Sequence, residues 1–123
     1  MFTTPQSIPL GQGLVSITGS LHDKVGFGVK RSGAGWTIAG AQEGIGCCTD
    51  GGTALGDPCA VNIGQVKGIA GGTVAAGDPV TTDANGRWVT ATAGQKSAGV
   101  ALHAASNLEP VEMHLDGRLI TTP

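Results

Sequence analysis

Two stretches of this chain follow one plan, and that repetition constrains the fold more than any single motif does. Gly26-Phe27-Gly28-Val29-Lys30-Arg31-Ser32-Gly33-Ala34-Gly35-Trp36-Thr37 lies over Gly77-Asp78-Pro79-Val80-Thr81-Thr82-Asp83-Ala84-Asn85-Gly86-Arg87-Trp88-Val89, with one residue inserted before Trp88. Gly44-Ile45-Gly46-Cys47-Cys48 then lies over Ser97-Ala98-Gly99-Val100-Ala101. Gly56-Asp57-Pro58-Cys59-Ala60-Val61-Asn62-Ile63 lies over Leu108-Glu109-Pro110-Val111-Glu112-Met113-His114-Leu115, so the offset stays at about 52 residues. A fold for this sequence has to build one arrangement of short elements twice.

Those elements read as strands. Each half has a strand centred on Val29 or Val80 that runs into a tight turn, at Ala34-Gly35 or Asn85-Gly86. Asn-Gly between extended segments signals a two-residue hairpin in which both positions take positive φ. A second strand follows, Trp36 to Ala39 or Trp88 to Ala91, mixing Trp and Thr with β-branched residues. A third, Ile45 to Cys48 or Ala98 to Leu102, is small and apolar. The fourth alternates with a period of two, so that Cys59, Val61 and Ile63, or Val111, Met113 and Leu115, share one face. Asp116-Gly117 suggests a further hairpin into a last strand, Arg118 to Thr122, and Val66 to Ile69 a strand joining the halves. No ten-residue window carries a helical period; one short turn over His103 to Asn107 is the only helical candidate.

The 22 glycines among 123 residues fit this plan, since many tight turns serve many short strands. The expected class is all-β: a small barrel or sandwich with an internal two-fold repeat, its halves spanning about 24–64 and 75–116 of a single domain, 14–123. Residues 1–13, with two prolines and no alternation, read as an extended N-terminal arm anchored by Phe2, Ile8 and Leu10. Such an arm can add a strand to a partner's sheet edge, which makes Phe2, Pro5, Ile8, Pro9 and Leu10 the candidate partner-binding residues.

Charge narrows the function classes. Seven Lys and Arg against nine Asp and Glu make no basic stripe, so counter-ion-driven nucleic-acid binding is not expected. No apolar run reaches the 18 residues of a membrane span, and the start lacks the pattern of a secretory leader. Only 13% of residues are charged, fewer than a small solitary domain carries for solubility, which suggests surface hidden in an assembly.

Residues that carry chemistry are present without the spacing that chemistry needs. Cys47, Cys48 and Cys59 form no C-x-x-C pair and lack a fourth zinc ligand; they overlie Val100, Ala101 and Val111, which makes them buried small apolar side chains. His103, Glu112 and His114 invite a surface metal site, but three exposed polar residues on a strand is the plainer reading. Gly44-Ile45-Gly46, Gly51-Gly52-Thr53 and Gly71-Gly72-Thr73 lack the lysine and the following helix of a phosphate loop. No nucleophile elbow, H-E-x-x-H or credible Ser/His/Asp arrangement occurs. The chain is expected to be no enzyme and to need no cofactor or metal.

The run Gly68-Ile69-Ala70-Gly71-Gly72-Thr73-Val74-Ala75-Ala76-Gly77-Asp78-Pro79-Val80-Thr81-Thr82-Asp83-Ala84-Asn85-Gly86-Arg87-Trp88-Val89 resembles the small capsid decoration, or cement, proteins of tailed bacteriophages. So does its continuation, Ala98-Gly99-Val100-Ala101-Leu102-His103-Ala104-Ala105 followed by Val111-Glu112-Met113-His114-Leu115. The resemblance covers about 50 residues well and the first half more loosely. It implies a non-enzymatic protein, made in the host cytoplasm, that sits on the outer surface of the virion head. There it would lie between subunits of the major capsid protein and stabilise the expanded shell. It also implies a homo-oligomer, with a trimer expected first and a dimer second. Two other readings stand beside it. A carbohydrate- or cell-surface-binding β module on a virion exterior would use Trp36 and Trp88 as platforms. A small β-barrel enzyme subunit would place its site between protomers, near the histidines.

Overall fold

The computed structural model describes residues 7–9, 14–16, 25–32, 35–50 and 58–123. Among these, ten strands form one sheet and there is no helix. The strands are β1 (Ser7–Pro9), β2 (Leu14–Ser16), β3 (Gly28–Ser32), β4 (Gly35–Ile38), β5 (Gly46–Asp50), β6 (Pro58–Ile69), β7 (Pro79–Thr82), β8 (Trp88–Thr90), β9 (Lys96–Ala101) and β10 (Pro110–Thr121). The all-β class expected from the repeat is the class found.

The sheet curls into two rings that share a strand. β2 pairs in parallel with β4 and antiparallel with β6, and β3 and β5 complete the circuit β2-β4-β3-β5-β6. From β6 the pairing continues through β10, β9, β7 and β8. It returns to β6 by a parallel bridge between Ala70, one residue past that strand, and Trp88. Closure of this kind leaves few unpaired strand edges.

Equivalent residues make equivalent bonds. Gly28↔Cys47 and Val29↔Gly46 in the first ring match Pro79↔Val100 and Val80↔Gly99 in the second. Gly26 N–H donates to Cys48 O at 2.8 Å, and its counterpart Gly77 to Ala101 O at the same distance. The equivalence also takes in residues that the sequence comparison did not align. Val15↔Pro58 and Ser16↔Trp36 correspond to Ile69↔Pro110 and Ala70↔Trp88. The end of β6 therefore does in the second ring what β2 does in the first.

Each ring has its own core. Val29, Trp36, Cys48 and Val61, with Ile38 and Ile45 against them, fill the first. The second is larger and includes Val66, Val74, Val80, Trp88, Ala98, Val111, Met113 and Leu115. Period-two alternation in β10 produces this burial: Val111, Met113 and Leu115 point inward while His114 is exposed and Glu112 half-buried. β5 lies between the cores, with Cys48 in the first and Cys47 in the second.

Four local expectations are corrected. Asp116-Gly117 is not a hairpin: β10 runs on to Thr121, and its pairing with β9 jumps from Leu115↔Gly99 to Ile120↔Ser97. Asp116 to Leu119 bulge out between those pairs, because Gly117 takes φ +77° and bends the strand without reversing it. Gly64, at φ +78°, makes the corresponding bend in β6, where that strand leaves β5 for β10. Val66 to Ile69 is strand, as expected, but forms the last four residues of β6 and not a separate element. At Asn85-Gly86 only Gly86 has positive φ, because the loop is a type I turn closed by a glycine and not a two-residue turn. Asp83 N–H donates to Arg87 O at 2.8 Å, and Asp83 Oδ1 accepts from Asn85 and Arg87 N–H. Finally, no helical turn forms over His103 to Asn107, since Ala105 is drawn into a bridge with Val74. The turn proposed at Ala34-Gly35 falls partly outside the described residues.

Candidate interaction surfaces

The arm residues come first. Phe2, Pro5 and Leu10 lie outside the described residues. Ile8 and Pro9 belong to β1, which pairs antiparallel with β6 of its own chain through Ser7↔Gly64, Ile8↔Ile63 and Pro9↔Asn62. Their backbone is thus part of the sheet that carries both rings.

His103, His114 and Glu112 do not come together as a metal site. Glu112 N–H donates to His103 Nε2 at 3.2 Å, which requires the other ring nitrogen, Nδ1, to carry the proton it donates to Ala104 O at 2.9 Å. Both nitrogens of His103 are therefore used, one within its own loop and one on β10. His114 stands apart, 3.8 Å from Asp116. Among the described residues no group of three or more His, Cys, Asp or Glu could hold an ion. Beside them, Gln65, Val66, Lys67 and Glu112 line an open depression of about 220 Å³, below the size of an ordinary small-molecule site.

Cys47 and Cys48 are fully buried. Burial pushes the Cys47 thiol up to about 12, with the adjacent Cys48 adding to the shift. The Trp88 indole N–H opposes it. A thiol held neutral at physiological pH is a poor nucleophile. The side chain of Cys59 lies outside the described residues. Trp36 and Trp88 are also fully buried, so neither offers a ring face on which a sugar could stack.

Of the five exposed large apolar side chains among the described residues, four sit on the second ring, and Val25 is the other. Val100 and Leu102 on and just after β9 are 42% and 45% exposed, and Leu108 is 57% exposed at the end of the following loop. That loop is firmly held: Leu102 N–H donates to Glu112 O, Leu108 N–H to Ala70 O, and Ser106 N–H to the Glu109 carboxylate. Leu108 nonetheless adopts φ +68°, a conformation that a branched side chain rarely takes. Sequence reasoning missed these leucines because nothing in the pattern separates an outward apolar residue from a core one.

No protein-family model matches the chain, and no curated protein matches it in sequence. Its fold is found among solved structures. The crystal structure of the head fiber gp8.5 N base in bacteriophage phi29 is similar, with a TM-score of 0.59 over 95% of this chain and 98% of that one. Identity between the two is 16%, so the likeness is one of fold.

Proposed function

We propose that this chain is a non-enzymatic structural protein of a tailed-bacteriophage head. In this reading it binds the outer shell surface between major capsid protein subunits and stabilises the expanded shell. The observation that carries the reading is the shared fold, nearly end to end, with the base of a phage head fiber. The resemblance of Gly68 to Leu115 to capsid decoration proteins supports it independently. The low charge supports it too, since interfaces buried in a particle need little solubilising surface. Many weakly bound copies would add stability by mass action, without chemistry at any one site. The glycan-binding alternative loses its motivating feature, because both tryptophans are core residues.

Co-sedimentation tests this reading. Purified protein should pellet with expanded shells at a fixed ratio to the major capsid protein, and should not bind that protein unassembled. Absence of binding to any mature shell would sink the proposal. Within it, residues 1–6, which hold Phe2 and Pro5 and precede β1, are assigned the clamp. Their deletion should weaken shell binding at least about tenfold while leaving the melting temperature unchanged.

A further inference from the structure

The two rings carry the same row of residues across neighbouring strands on their outer faces. In the first ring the row is Gly28, Cys47, Asn62 and Pro9. In the second it is Pro79, Val100, His114 and Gln65. The first row is built over by the second ring. Gly28 N–H donates to Gly86 O at 2.7 Å, and Cys47 is fully buried in the core that holds Trp88 and Met113. Thr82 locks the contact, accepting at Oγ1 from Gly44 N–H and donating to Gly40 O.

The second row is more open: Val100 and His114 are exposed, and Pro79 and Gln65 are half-buried. Val100, the counterpart of buried Cys47, is 42% exposed, and Leu102 two residues on is 45% exposed. An apolar residue thus persists at the position where the chain has already shown that such a wall is packed against. Charges of both signs border it: Lys67 on one side of the balance, Glu112 and Asp116 on the other. A partner surface of one sign would be repelled by part of this border, whereas a surface bearing the same mixture can complement it.

We propose that the face formed by Pro79 on β7 and by Val100 and Leu102 on and just after β9, bordered by Lys67, Glu112 and His114, is where a second copy of this chain docks. Continuity with the interface between the rings names the occupant, since the equivalent wall is already covered by a β unit of the same fold. The contact differs from the internal one in a definite way. Pro79 has no N–H to replace the donor at Gly28, so association relies on side-chain packing rather than on a backbone bond. The assignment stands apart from the virion reading and needs no shell.

Sedimentation velocity on the full chain across a wide concentration range tests it. The wild type should exceed monomer mass at high concentration. The double variant Val100→Asp/Leu102→Asp should remain monomeric with an unchanged circular dichroism spectrum, and Val25→Asp, exposed elsewhere, should associate as the wild type does. Amide exchange of the wild type supplies a readout that needs no variant: protection at 100–102 and 112–114 should rise with protein concentration. A wild type that stays monomeric, a double variant that still associates, or concentration-independent exchange on this face would each overturn the proposal. So would a wild type monomeric in solution whose shell binding is abolished by the double variant, since the face would then belong to the shell.

Discussion

Gly99 shows how little room the β9–β10 contact leaves. A Cβ there would collide with the backbone carbonyl of His114, which cannot rotate aside as a side chain would. Gly99→Ala should therefore destabilise the fold by about 2–3 kcal/mol, by forcing the two strands apart. Gly72→Ala is the contrast: its added methyl meets nothing within 4 Å, and the change should fall within about 0.5 kcal/mol of neutral. Thermal or urea unfolding of the pair checks both. Cys47 makes a second residue-scale prediction. Its folded pKa of about 12 lies above the ordinary thiol value near 9, so the unfolded chain ionises first as pH rises. Stability is thus fully present below about pH 9 and falls above it, by at most about 1.4 kcal/mol per pH unit until the folded thiol itself titrates. Urea melts at pH 8, 9 and 10 should show that decline, and Cys47→Ala should flatten it. Alkylation of the native protein at pH 8, mapped by peptide mass, should leave Cys47 unmodified.

At the scale of elements, the repeat in the sequence located most strands, because glycines and tryptophans punctuate β3–β4 and β7–β8 alike. Alternation in β10 named its buried residues correctly, and the overlay of Cys48 on Ala101 identified two core positions. The overlay of Cys47 on Val100 was less informative. Equivalent registers share backbone bonds, but their outward faces meet different neighbours, and period two cannot say which outward face will be covered. Long strands were the other obstacle. A glycine with positive φ reads as a turn in sequence, yet Gly64 and Gly117 bend β6 and β10 and let them continue. β2 and the end of β6 escaped alignment because Leu14-Val15-Ser16 and Gly68-Ile69-Ala70 share a place in the sheet and almost no side-chain character. The candidate surface was the least legible part. An outward Val100 or Leu102 is written in the same letters as a core residue, and the arm residues named from sequence fall mostly outside the described strands.

The whole molecule is two rings and yet one unit, because β6 belongs to both. Cutting the chain after Gly64 leaves one fragment without the final strand turns of its neighbour and the other without a wall against which Trp88 and Met113 can pack. Fragments 1–64 and 65–123 should each lack a cooperative thermal transition, whereas the intact chain melts in a single step; scanning calorimetry distinguishes the two behaviours. Two independently stable fragments would show that the shared strand is dispensable.

A shared strand also changes how such a protein can vary. When a unit is doubled, one copy is ordinarily free to drift while the other keeps the original duty. Here Pro58 to Ala70 must satisfy two sets of neighbours with a single set of side chains, so neither half can revise that segment alone. A comprehensive substitution library read by soluble yield should find its least tolerant stretch there, in the seam, and not in either core taken separately.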